Sequence, residues 1–452
     1  MFLRNKLVRV ALLGTLGLAG TSCDKILDQQ PQNSLDSAQV FTDLAGANAA
    51  LTGVYGGLTT SNYYGLRYPV FADLLADNLA HIGTFPSFAE IKNRNIQTNN
   101  VEVTNMWAAI YTTINRANNV IEYTPGIGSI SDADKKRLIA EAKFLRALSY
   151  FDLVRYWGDV PLVLVATKKA DASLNVARTP ANAVYDQVKK DFDDAEADLP
   201  EGTASRANKS AARALKARLA LYRGQYTEAA ALADQVIANT KFTLLPVYRD
   251  NFDVKNSTEA IFEINFDNIT SSQFAFFNFP GSRGGRNEVS PTGTTLPAAY
   301  ETGDRRKAAS ISDGTFTVNN QTIPANVGVK YTKAGTGEDN FRVIRLAEVI
   351  LISAEAKARI GTDLPGALVL VNRIRTRAGL TPSTALTQAA LLTAIEQERR
   401  VELAFEGHRW FDLVRTGRAQ TALGITDPRK LLLPIPFREI TNNPNLTQNP
   451  GY

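Results

Sequence analysis

The chain reads as a mainly α protein in which stacked helical pairs carry an irregular, partly β region. Three observations lead there. Apolar residues recur every three or four positions through most of 36–240 and 341–425. Residues 214–236 and 348–374 share one layout: an alanine-rich helix, a turn at Gly224 or Gly361, and a second helix that opens on small residues. Small residues at that spacing let two antiparallel helices approach closely. Between 241 and 340 the helical spacing is lost, and Gly, Ser, Asn and Thr fill the chain between short alternating segments.

In chain order, residues 1–22 read as an export signal: Arg4, Lys6 and Arg9, then an apolar run over 10–19, then Gly20, Thr21 and Ser22. The run is too short to span a bilayer. Cys23, the only cysteine of 452 residues, follows directly, where a bacterial lipoprotein is cleaved and acylated, so it is the predicted lipid anchor. The polar stretch 23–35 reads as a tether and 36–452 as the folded unit. Without the first 22 residues the chain keeps 47 basic residues against 45 acids, and its net charge falls from +5 to +2. So small an excess gives no reason to expect a nucleic-acid partner.

Residues 36–58 have one apolar face (Val40, Leu44, Ala47, Leu51, Val54) and read as a helix; 61–100 is looser and aromatic. Helical spacing returns over 107–121 until Pro125, and Ser131 caps the next helix. That helix ends in Phe151-Asp152-Leu153-Val154-Arg155, repeated word for word at 411–415, with Asp and Arg three apart and able to pair. In 260–266 apolar residues alternate as in a strand, and Phe274, Phe276, Phe277 and Phe279 form either a buried strand or an exposed platform. Prolines at 434, 436, 444 and 450 exclude a helix, so 426–452 is expected to lie extended over the domain.

The paired layout resembles a tetratricopeptide repeat, whose helix pairs of about 34 residues must stack to cover their apolar faces. Four pairs are expected: 36–123 with an insert, 131–198, 207–240 and 343–377. The stretch 391–415 reads as a helix packed after the last pair. It sets Glu398 and Glu402 in its apolar stripe, where carboxylates need cationic partners. Glu398, Arg399, Glu402, Arg409, Asp412 and Arg415 are therefore expected to belong to a structural ion-pair network rather than a catalytic acid/base pair. Two distant histidines and one thiol offer no metal site, and no nucleophile elbow or phosphate loop occurs, so neither an enzyme nor a cofactor is expected.

Several motifs resemble the SusD/RagB family of outer-membrane nutrient-binding lipoproteins. They are Glu398-Arg399, Glu402-Leu403, the run from Phe405 to Leu413, Arg377-Ala378-Gly379, the segment 140–162, and the tail with Leu433-Pro434-Ile435-Pro436 and Gln448-Asn449-Pro450-Gly451-Tyr452. The resemblance implies a tetratricopeptide-like scaffold, a lipid tether on the outer face of the outer membrane, no catalysis, and a partner: a SusC-type TonB-dependent transporter that receives glycans or, in some branches, peptides. The region 250–340 is short for the family. A repeat adaptor for a peptide or protein is the alternative reading.

Sugar recognition needs flat aromatic faces beside amide, carboxylate or guanidinium groups. Two loops have that mixture: Tyr63, Tyr64, His81, Phe85, Phe88 and Asn93 in one, and Phe276, Phe277, Asn278, Arg283 and Arg286 in the other. Trp107, Trp157 and Trp410 lie in helical motifs and are expected to pack within the scaffold.

Overall fold

The structure is a computed structural model that describes residues 37–168 and 172–452. The export signal, Cys23 and the tether over 23–35 lie outside the described residues.

The four expected pairs are present. Helix α1 (Leu44–Leu58) packs on α2 (Val101–Tyr123), and α3 (Asp132–Trp157) on α4 (Ala181–Asp198). Helix α5 (Lys209–Tyr222) packs on α6 (Tyr226–Ile237), and α7 (Leu346–Ile360) on α8 (Leu364–Arg377). Side-chain caps fix the starts: Asp43, Ser131, Asn208 and Asp363 accept backbone amides of the first turns of α1, α3, α5 and α8. The cap at Asp43 also explains why 36–58 is not one helix: it separates a short helix, Ser37–Val40, from α1.

Successive pairs stack as well, with α2 against α3, α4 against α5, and α6 against α7. The last contact joins helices more than a hundred residues apart, and Ser353 Oγ donates to Asp234 Oδ1 across it at 2.6 Å. The region 241–340 is thus an excursion from a continuous stack. Its two ends are tied by an antiparallel ladder between β2 (Ala260–Ile264) and β4 (Phe341–Arg345), buried throughout, and β4 runs straight into α7. A second ladder pairs β1 (Ala80–His81) with β3 (Val289–Ser290) and brings the excursion onto the early aromatic loop.

Three local expectations are corrected. Residues 391–415 form two helices, α9 (Gln388–Glu402) and α10 (Arg409–Arg415). Between them Phe405 (φ 63°) and Gly407 (φ 74°) turn the chain, and a Cβ at Gly407 would lie 2.9 Å from Pro69 Cα. The phenylalanine run is a short helix, Phe274–Asn278: Phe274 enters the core while Phe276 and Phe277 stay half-buried. The tail contains a helix, Phe437–Asn442, because Pro436 stands at its N-cap and no proline falls within it. The flanking tail is clamped by polar side chains: Trp157 Nε1 donates to Pro434 O at 2.9 Å, and Asn449 Nδ2 to Trp157 O and Leu433 O at 3.0 and 2.7 Å.

Candidate functional site

The acids of the 391–415 stretch are fully engaged. Glu402 receives Arg345 at 2.7 Å and Arg306 at 3.2 Å, with Arg377 also on the carboxylate. Glu398 receives Arg306 and Arg375, and Glu406 receives Arg345 and Lys330. Within the stretch itself Arg399 pairs with Asp412, while Arg415 joins Asp412 to Glu355 and Arg409 reaches Asp77. The partners of the glutamates thus come from β4, α8 and the excursion, not from their own helix. Burial would raise the Glu402 and Glu406 carboxyls, but the facing cations prevail: Arg377, Arg345 and Arg306 hold Glu402 far below the carboxylate range, and Arg345 with Lys330 brings Glu406 to about 2. A general acid needs its proton near neutral pH, so these groups are tuned the opposite way. Both copies of the repeated motif form their Asp–Arg pair, Asp152–Arg155 at 2.5 Å and Asp412–Arg415 at 2.8 Å.

The two aromatic loops, some two hundred residues apart in sequence, meet at one surface. Phe85 and Phe277 have ring centroids 6.2 Å apart, and Phe88 stacks beneath Phe277 at 5.6 Å. The Arg286 guanidinium lies 3.9 Å from the Phe85 ring centre. Glu288 fastens the contact: its Oε1 accepts the Phe85 amide at 2.6 Å and meets His81 Nε2 at 2.9 Å, while Oε2 faces Arg286 at 3.4 Å. Burial pulls the Glu288 carboxyl up, but the Phe85 amide and His81 hold it below its ordinary value. The carboxylate packs so closely on the turn after β1 that a Cβ at Gly83 would stand 2.3 Å from Glu288 Oε2.

Beside this contact an open cleft of about 590 Å³ is lined by Ser61, Arg67, Phe85, Glu102, Gln273 and Phe277, among others. Arg67 Nε pairs with Glu102, Arg67 Nη1 donates to Ser61 O at 3.0 Å, and Ser87 Oγ donates to the other Glu102 oxygen at 3.0 Å. The cleft therefore sets two half-buried aromatic rings against a fixed guanidinium–carboxylate pair. That is the chemistry for holding a flat, hydroxyl-bearing molecule.

The remaining candidates separate by burial. Tyr63 and Tyr64 are interior, their ring centroids 4.6 Å apart with the planes tilted by 39°, and Tyr63 Oη donates to Asp152 at 2.5 Å. Phe88 is fully buried and can only support Phe277 from below. Asn93 is exposed at the end of the helix Pro86–Asn93 and does not line the cleft. Asn278 Nδ2 donates to its own helix at Phe274 O, Arg283 Nε donates to Thr322 O at 2.7 Å, and Phe276 packs edge-on against Phe277. Trp107, Trp157 and Trp410 are buried in the scaffold. Sequence reasoning missed Arg67, Glu102, Gln273 and Glu288. Glu102 looks like an ordinary first-turn acid after the Asn100 cap, whereas Glu288 stands two residues beyond the basic loop, directly before a strand, a signal that could have found it. Among the described residues, no cluster of His, Cys, Asp and Glu is placed to hold a metal ion, and no helix is long and apolar enough to cross a membrane.

Comparison with known proteins agrees with this architecture. A family described as "SusD family" matches residues 302–430, and one described as "Starch-binding associating with outer membrane" matches residues 25–221. SusD-like protein P2 of Formosa agariphila is 30% identical, the alignment covering 94% of this chain and 96% of that protein. A SusD superfamily protein from Bacteroides vulgatus superposes with a TM-score of 0.82 at 21% identity, over 91% of this chain and 100% of its own. A laminarin-binding SusD-like protein superposes with a TM-score of 0.75 at 27% identity, over 90% of this chain and 99% of its own.

Proposed function

This chain belongs to the SusD family, and from that premise we propose that it is a cell-surface lipoprotein of the outer membrane that binds an oligosaccharide in the Phe85–Phe277 cleft and delivers it to a SusC-type TonB-dependent transporter. The observation that carries the reading is the pairing of Phe85 and Phe277 with Arg67 and Glu102 across one cleft. The rings cover the C–H face of a sugar, and the charged pair with Gln273 and Ser61 meets its hydroxyls. The family description that links its members to starch and the outer membrane supports the same reading, as does the laminarin-binding relative. Cys23 supplies the lipid attachment that keeps the domain at the surface, with no catalytic role for the buried acids.

The test is calorimetric titration of residues 24–452 with a panel of soluble α- and β-glucans and peptides, beside the Phe277→Ala variant. A saturable glycan response that weakens in the variant supports the cleft. Binding of peptides alone, or of a glycan with the same affinity in both proteins, overturns it. Delivery is tested separately by solubilising the full lipoprotein from its membrane: recovery without a large barrel protein excludes the transporter partnership.

A further inference from the structure

A second pocket, of about 240 Å³, opens between α7, α9 and α10 and shares no lining residue with the cleft. Four guanidinium groups line it, Arg359, Arg399, Arg415 and Arg418, against three carboxylates, Glu355, Glu396 and Asp412. The pairing among them is uneven. Every nitrogen of Arg415 has a carboxylate partner, with two bonds of 2.7 Å to Glu355 and one of 2.9 Å to Asp412. Arg399 spends Nε and Nη2 on Asp412, at 2.9 and 3.0 Å, and its Nη1 has no hydrogen-bond partner among the described residues although the side chain is only 3% exposed. Arg359 reaches Glu355 at 3.4 Å, and its Nε is likewise buried without a partner. Arg418, mostly exposed, meets Glu396 at 3.3 Å, and that carboxylate is already shared with Arg409 at 3.4 Å.

The carboxylates inside the pocket are thus used up before the guanidinium donors are. A buried donor left unpaired loses its hydration without compensation, and the loss is greater when the group is charged. The neutral groups do not relieve this, because the hydroxyls of Thr393 and Thr416 donate to the backbone carbonyls of Ala389 and Asp412 and have no second proton to give. What fits is an acceptor that carries negative charge and several lone pairs, and the space is several times the ~30 Å³ share of a water molecule in the liquid.

We propose that this pocket binds one oxyanion group, a carboxylate or sulfate, with Arg399 Nη1 beneath it and Arg359 and Arg418 at its sides. The source is either a free anion or the acidic substituent of a sugar, and the inference stands whether or not the cleft binds a glycan. Arg399 also holds Asp412 in the scaffold, so the test uses Arg359→Gln/Arg418→Gln in the folded domain of residues 24–452. Both proteins are titrated by calorimetry with sodium sulfate, glucuronate and glucose at fixed ionic strength, and their thermal midpoints are recorded with and without sulfate. The parent protein is expected to bind sulfate saturably and gain midpoint, glucose to give no response, and the double variant to bind at least tenfold more weakly. A saturable response to glucuronate as well, or to glucose 6-sulfate in a parallel titration, assigns the site to an acidic sugar, whereas inorganic sulfate binding with neither assigns it to a free anion. No saturable binding of either anion, or binding undiminished in the double variant, overturns the proposal.

Discussion

Glu288 Oε1 accepts the Phe85 amide at 2.6 Å, so one buried carboxylate from the excursion fixes the backbone of an aromatic residue two hundred positions earlier. Its second contact, to His81, braces the same loop from the β1 side. Glu288→Ala removes the one oxygen that serves both contacts and leaves the Phe85 amide unpaired. We expect faster hydrogen exchange at the amides of 82–85 and, through the displaced Phe85 ring, about tenfold weaker glycan binding, roughly 1.4 kcal/mol. Unchanged exchange at Phe85 would show that the ladder between β1 and β3 alone holds the loops together.

Within the cleft, Phe277 and Arg67 are expected to fail differently. Phe277→Ala removes a half-buried ring that rests on Phe88, so it weakens glycan affinity by about ten- to a hundredfold with a modest loss of stability. Arg67→Ala strands the Glu102 carboxylate and frees Ser61 O. Its effect should therefore appear both in affinity and in the thermal midpoint, and Arg67→Lys should restore the midpoint better than the affinity because an ammonium lacks the guanidinium fork. Parallel titration calorimetry and thermal melts separate the two.

Glu402 is fully buried under three arginines, and removing it leaves Arg306, Arg345 and Arg377 partly unpaired. Breaking such a buried pair costs about 3–5 kcal/mol. The urea midpoint of Glu402→Ala should fall accordingly, while the protein that remains folded keeps its glycan affinity, because Glu402 does not line the cleft. A folded variant that has lost binding would move Glu402 from the scaffold into the site.

The scaffold was legible because each helix carries its own periodicity, and the acids in an apolar stripe could only be paired. Their partners were not legible: Arg306, Arg345 and Arg377 reach Glu402 through a tertiary arrangement that no local spacing encodes. The site divides along the same line. Phe85, Phe277 and Arg286 could be picked by residue type, but their meeting depends on a two-residue ladder between distant segments. Residue type does not separate core from loop for Tyr63, whose hydroxyl finds a buried acceptor in Asp152. The turn at 403–408 was hidden because Phe405 takes a positive φ that its residue type gives no hint of.

Two buried groups, His408 and Asp73, should act on stability in opposite senses between pH 4 and 7. Burial lowers the His408 imidazole to about 4, with Glu348 3.7 Å away only partly offsetting it. Unfolded, the same group titrates near ~6.5. As pH falls from ~6.5 to ~4 the unfolded chain takes up a proton that the folded chain does not, so this group removes stability over that window, about 3 kcal/mol at most. Asp73 has the opposite sense. Burial pushes its carboxyl up to about 7 despite the hydrogen bond from Asn78 at 2.6 Å, so the stability it contributes is present below ~4 and is lost as pH rises to about 7. In the parent protein the two slopes run in opposite directions. His408→Asn should therefore become less stable as pH rises from 4 to 7, and Asp73→Asn more stable, in urea denaturation series. Below ~4.3 Glu406, held near 2 by Arg345 and Lys330, adds a separate loss as its salt bridges are protonated away, and that limb should appear in all three proteins. Equal slopes in the two variants between pH 4 and 7 would mean that neither group is buried in the state that unfolds.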